Sequence, residues 1–151
     1  MELKSPKFKN GESIPALYTC DGSNINPPLV ISGVPKEAKA LVLIMDDPDV
    51  PTFVRQDRMW VHWVVVDMPP TTQELKENST PPGVVGNNTS GTAVYQGPCP
   101  PDREHRYFFK LYALDAPLRL KRGVTKVEVE KAMQGHVIAH CELMGRYVRA
   151  Q

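Results

Sequence analysis

Three apolar segments dominate the polar–apolar pattern of the chain. Ala40 to Met45 is an unbroken apolar run that ends abruptly in Asp46-Asp47-Pro48-Asp49. A run this short, closed by acidic residues and proline, predicts a strand buried on both faces. Trp60 to Val66 is a second such strand, β-branched and aromatic, with His62 set inside it and Asp67-Met68-Pro69-Pro70 closing it. Arg106 to Leu114 predicts a third strand with two faces. Tyr107, Phe109, Leu111 and Ala113 share one; Phe108, Lys110, Tyr112 and Leu114 share the other. Asn78 to Gln96, rich in Gly, Asn, Ser and Thr, reads as hairpin turns and loop. A helix is expected late in the chain. Thr125-Lys126-Val127-Glu128 fits a capping box, and Val129, Ala132, Met133, His136, Val137, His140 and Met144 follow at roughly helical spacing. Gly135 would kink or divide that helix, and Gly145 would cap its C-terminus. The pattern predicts a mostly β protein, a β-sandwich with a peripheral helix.

Composition narrows the class. A chain of 151 residues is the size of one domain, expected to span 1–151. The 15 prolines are about twice the average of roughly 5%. They cluster at Pro27-Pro28, Pro69-Pro70, Pro81-Pro82 and Pro98 with Pro100-Pro101, where they punctuate short strands and stiff loops. Eighteen basic against seventeen acidic residues leave a net charge of +1, without the basic excess of a nucleic-acid binder. No apolar run is long enough to span a bilayer, and the N-terminus shows no secretory pattern. Cys20, Cys99 and Cys141 are odd in number and widely spaced, without a CxxC pair. They suggest no disulfide framework, so the expected location is a reducing cytoplasm.

Buried polar groups are the informative exceptions, because each must be paired or serve a function. Asp47 with Asp49, His62, and His105 with Tyr107 all sit on or at the ends of strands that otherwise read as core. Period-2 geometry puts His105 and Tyr107 on one face while Arg106 points away. Gly97-Pro98-Cys99-Pro100-Pro101 would stand beside His105 as a rigid wall, with Gly97 permitting close backbone approach to a ligand. Taken singly, each has a bland reading: a satisfied core histidine, turn chemistry at Asp-Pro-Asp, a core tyrosine. His136 and His140 have the i, i+4 spacing of metal ligands, but their apolar neighbours favour packing. Cys99 near the histidines is formally a nucleophile, yet its prolines give it neither a helix N-terminus nor an oxyanion hole. No metal or other cofactor is expected.

The order and spacing of Asp47-Pro48-Asp49-Val50-Pro51, Trp60-Val61-His62-Trp63 and Gly97-Pro98-Cys99-Pro100-Pro101 running to His105-Arg106-Tyr107 resemble the phosphatidylethanolamine-binding protein family. More narrowly, the chain is similar to its bacterial and archaeal Raf-kinase-inhibitor-like branch. Tyr18-Thr19-Cys20-Asp21-Gly22, Leu111-Tyr112-Ala113-Leu114-Asp115 and Gly135-His136-Val137-Ile138-Ala139 support the likeness, which runs from about Ile14 to Tyr147. The resemblance implies a Greek-key sandwich of two antiparallel sheets with a short late helical segment. It also implies a surface anion pocket lined by Asp47, His62, Gly97, Pro98, His105 and Tyr107, with Trp60 close by. Thr52 to Met59 lengthens the loop between the first two motifs and puts Arg55, Asp57 and Arg58 near the expected rim.

Two imidazoles, a phenol and backbone N–H groups suit a phosphate or carboxylate. Asp47 would accept a hydrogen bond from an imidazole and raise its pKa, leaving the second ring nitrogen as a donor to the anion. Charge-assisted bonds of ~1.5–3 kcal/mol each, offset by desolvation, give an expected affinity near ~1 mM for a bare anion. The function expected is binding of small anionic or phosphate-bearing ligands, phospholipid-headgroup-like, by a regulatory and non-enzymatic protein. Two alternatives stay open: inhibition of a kinase or protease by surface contact, and a weak hydrolase using the His/Asp pocket. The resemblance also implies a homodimer.

Overall fold

The computed structural model describes residues 1–150. Its strands are β1 (Glu2–Lys4), β2 (Leu29–Ser32), β3 (Ala40–Asp47), β4 (Trp60–Met68), β5 (Glu74–Leu75), β6 (Val84–Val85), β7 (His105–Leu114) and β8 (Val137–Tyr147), with helix α1 (Lys126–Met133) before β8. One sheet has the order β1-β2-β5 and the other β6-β4-β3-β7-β8, every pairing antiparallel. The expected mostly β sandwich of two antiparallel sheets is what forms.

The central strand explains the layering. Every residue of β3 is buried. Leu41, Leu43 and Met45 point into a core shared with Leu3, Leu29, Ile31 and Leu75 of the small sheet, so this face closes the sandwich. Val42 and Ile44 point the other way, into a second core that α1 covers with Val129 and Met133. The continuous apolar run therefore reports burial on both faces. On β7 the alternation holds, with Tyr107, Phe109, Leu111 and Ala113 fully buried.

The late helix is shorter than its apolar spacing suggests. Thr125 and Glu128 form the capping box, but the helix ends at Met133, and Gly135 at φ +81° turns the chain back toward β7. Val137 to Tyr147 is a strand, paired with β7 from Leu114↔Val137 to His105↔Tyr147. Its residues fit two periods at once, and pairing against β7 decides for period 2, with Leu143, Gly145 and Tyr147 inward. Gly145 caps no helix: a side chain there would meet Ile14 Cγ1 at 2.5 Å and Phe8 Cε2 at 2.9 Å. His136 and His140 consequently do not share a helical face. His136 pairs with Asp115 at 2.8 Å, and His140 lies beside Tyr112 across the β7–β8 ladder.

The cysteine expectation is overturned. Cys20 and Cys99, 79 residues apart, form a disulfide, and Cys141 remains free. Topology brings them together where spacing gave no hint: the Cys20 N–H donates to the Pro98 carbonyl at 3.0 Å. The cysteine count therefore lends no support to a reducing compartment. Among the described residues no helix is long and apolar enough to cross a membrane.

A Cys20→Ala/Cys99→Ala variant releases a long closed loop and is expected to lose about 2–4 kcal/mol of stability in non-reducing urea denaturation. A midpoint and slope equal to those of the wild type would show that the bond contributes nothing.

Candidate functional site

The acidic end of β3 organises this region, because Asp46, Asp47 and Asp49 are all buried. Each is paired differently. Asp46 faces the α1 side, where its Oδ2 accepts from Lys110 at 3.1 Å and Lys126 at 2.8 Å. Asp49 accepts a two-pronged bond from the Arg106 guanidinium at 2.8 and 2.9 Å, plus the Arg106 backbone N–H. That guanidinium holds the Asp49 carboxyl down at about 2. Asp47 faces the opposite side. Its Oδ2 accepts from His105 Nδ1 at 2.6 Å and its Oδ1 from the Asp49 N–H at 2.7 Å. Burial pushes its carboxyl up, against the opposing pull of those two bonds.

The pairing of Asp47 with an imidazole is the one expected, but the other nitrogen of that ring is not free. His105 Nε2 lies 2.6 Å from Asp102 Oδ1. The bond to His105 keeps the Asp102 carboxyl below its usual range. Each bridge in the Asp47–His105–Asp102 chain needs one proton between its heavy atoms. The chain thus holds two protons and a net charge of −1, whichever atoms carry them. The imidazole donor that the sequence offered to an anion is spent on Asp102.

The remaining polar atoms belong to His62 and Tyr107. Alternation along β4 turns His62 inward, and Nδ1 lies 2.6 Å from the Gln96 carbonyl. A carbonyl only accepts, so Nδ1 carries the hydrogen and Nε2 of the neutral ring presents a lone pair. Burial holds the His62 pKa down to about 4, so the ring is neutral at physiological pH. Nε2 has no hydrogen-bond partner in the chain, and neither does the Tyr107 hydroxyl. The two rings meet edge to face, 5.2 Å between centroids. Burial, then the Asp47 charge and the approach of its carboxylate to the hydroxyl, push the Tyr107 phenol upward, so it stays an O–H; that approach does not reach hydrogen-bond geometry.

A cavity of about 330 Å³ opens over this pair. Asp47, Trp60, His62, Gly97, His105 and Tyr107 all line it; Pro98 does not, and Cys99, Pro100 and Pro101 form that wall instead. Gly97 is needed for the fold before any ligand: a Cβ would strike the backbone of Tyr18 and the side chain of Asn24. The lengthened loop contributes Val54, while Arg55 turns away to Asp57 at 2.9 Å. Among the described residues no three His, Cys, Asp or Glu side chains converge as a metal site.

The family model for phosphatidylethanolamine-binding protein matches residues 4–148. The chain belongs to the phosphatidylethanolamine-binding protein family. It is 50% identical over 147 residues to a UPF0098 protein of Chlamydia trachomatis, covering 97% of this chain and 98% of that one. A UPF0098 protein of the archaeon Methanothermobacter thermautotrophicus is 49% identical over 155 residues, covering 99% of each. Among solved structures, the phosphatidylethanolamine-binding protein homologue CT736 of Chlamydia trachomatis superposes with a TM-score of 0.96 at 49% identity, covering 98% of this chain and 97% of that one. YbcL of E. coli, described as a new member of the mammalian phosphatidylethanolamine-binding protein family, gives 0.88 at 30% identity over 99% and 98%. Membership of this phosphatidylethanolamine-binding protein family supports a ligand-binding, regulatory role in general terms.

Sequence reasoning missed four residues that line this family member's cavity or hold a side chain that does. Asp102 stands three residues before His105, a spacing visible in the sequence but unremarkable in a Pro-rich turn. Gln96 holds both His62, through its carbonyl, and Trp60, whose Nε1 donates to Gln96 Oε1 at 2.9 Å. Asn24 accepts from the Gly97 N–H at 2.8 Å, and Cys20 is half of the disulfide in the wall.

The depressed His62 pKa fixes the sign of a stability effect. Between about 4 and the unfolded value of 6.5 the unfolded chain binds a proton that the folded chain refuses. Stability is therefore full above 6.5 and falls as pH drops through that window, by on the order of 3 kcal/mol. Urea denaturation from pH 7 to pH 4 should show this slope, and His62→Gln should flatten it; equal slopes in both proteins would contradict the assignment.

Proposed function

We propose that this protein binds small phosphate-bearing ligands in the cavity over His62 and Tyr107 and acts through binding, without turnover. One observation carries the reading: two buried polar atoms, the Tyr107 hydroxyl and His62 Nε2, face one cavity and have no partner in the chain. A buried unsatisfied group costs ~1–3 kcal/mol, so folding alone does not explain retaining two of them. A phosphoryl group supplies several oxygens at the spacing of neighbouring hydrogen-bonding atoms, and the apolar walls of Val54, Trp60 and Pro101 suit its substituent. Family membership supports binding of this general kind.

Hydrolysis has less behind it. No serine, threonine or free cysteine lines the cavity, and the one cysteine sulfur close to the histidines is tied to Cys20. Inhibition by surface contact has one feature in its favour: Phe53, on the rim loop, is 78% exposed.

NMR titration with phosphoethanolamine at pH 6 should shift the His62 and Tyr107 resonances saturably, with a Kd on the order of 1 mM. Tyr107→Phe should weaken binding about tenfold while the spectrum stays native. Shifts confined to surface residues, or none at all, would sink the reading.

A further inference from the structure

The hydrogen-bond polarity of the cavity says more than that it is vacant of partners. An anion needs donors, and the side chains that β4 and β7 place at its floor offer just one, the Tyr107 O–H; the Asn24 amide stands on the wall beside Gly97. His62 Nδ1 is committed to the Gln96 carbonyl, so Nε2 offers a lone pair. His105 is committed at both nitrogens to Asp47 and Asp102. The Trp60 N–H is committed to Gln96 Oε1, and the Gly97 N–H to Asn24 Oδ1. No lysine or arginine lines the cavity. A phosphate dianion pressed against this floor would set one oxygen lone pair against that of Nε2. It would also meet the negative charge of the Asp47–His105–Asp102 chain.

We propose that the site takes a phosphate group only together with one proton, held between His62 Nε2 and a ligand oxygen. The inference rests on the phosphate-ligand reading above and specifies the species recognised: the hydrogen-bearing monoanion, P–OH donating to Nε2 while a second oxygen accepts from Tyr107. The proton arrives with a monoanion, or is taken from solvent when the free ligand is a dianion; no covalent bond to phosphorus changes. Burial acts first on His62 and disfavours a proton; Asp46 from β3 favours one, His105 from β7 opposes it, Tyr107 stays neutral, and the 96–97 loop contributes carbonyls. A carboxylate or a phosphodiester, neither of which carries an acidic O–H at neutral pH, fits this floor worse than a phosphomonoester.

The test is the pH dependence of phosphoethanolamine affinity by NMR titration at pH 5.5, 6.5 and 7.5. With a second phosphate ionisation near 6, the monoanion fraction falls roughly 25-fold across that range, and Kd should rise by the same factor. His62→Gln puts a permanent amide donor near the Nε2 position, and its Kd should change less than about threefold. In the wild type at pH 7.5, the His62 Nε2 nitrogen resonance should move away from its unprotonated position on saturation; this readout does not depend on the variant folding. Binding with a flat pH profile and an unmoved Nε2 would overturn the proton requirement while leaving the phosphate reading intact. A slope that persists in folded His62→Gln would also overturn it by placing the proton elsewhere. No binding at any pH would remove the phosphate reading and this inference together.

Discussion

The end of β3 must bury three carboxylates, and much of the architecture around the cavity follows from that constraint. Unpaired buried charge is among the costliest things a fold can contain, so each acid needs partners from elsewhere in the chain. Asp46 draws Lys110 from β7 and Lys126 from α1, which fastens the helix to the sheet. Asp49 draws the Arg106 guanidinium over the strand end. Asp47 draws His105, which in turn draws Asp102 from the proline-rich turn. Asp46 and Asp49 each meet a cation, Asp46 two of them through Oδ2 while its Oδ1 has no partner in the chain. The third leaves a negative chain beneath a cavity.

On the proposed reading, that residue of charge is the source of selectivity. A pocket built from histidines invites the assumption that it is cationic, but here one imidazole is spent between two carboxylates and the other is kept neutral by burial. What reaches the cavity is a donor and an acceptor side by side. The wall that holds them is stiff: the disulfide joins Cys99 to Cys20, and Gly97 packs directly on the Tyr18–Thr19 backbone. Rigid walls keep Gln96 in place, and Gln96 sets the His62 tautomer.

The sequence made the central strands legible because burial on both faces and burial on one face write different patterns, and β3 and β7 carry one each. The candidate side chains were legible for a related reason: polar residues inside such strands are rare. Four features escaped. Val137 to Tyr147 satisfies helical and strand periods alike, and only the partner β7 chooses between them. The Cys20–Cys99 bond and the Asn24–Gly97 contact join segments far apart in sequence, which no local pattern encodes. The commitment of His105 to Asp102 was hidden because an expectation drawn from residue types counts donors without counting how many are already engaged.

Every property proposed for the cavity requires His62 to present a bare Nε2 to it. A long-range proton–nitrogen correlation spectrum of the free protein at pH 7 reads this directly. The expected result is a neutral His62 ring with its hydrogen on Nδ1 and none on Nε2. A hydrogen on Nε2, as the opposite tautomer or as imidazolium, would make the floor of the cavity a pair of donors and contradict it.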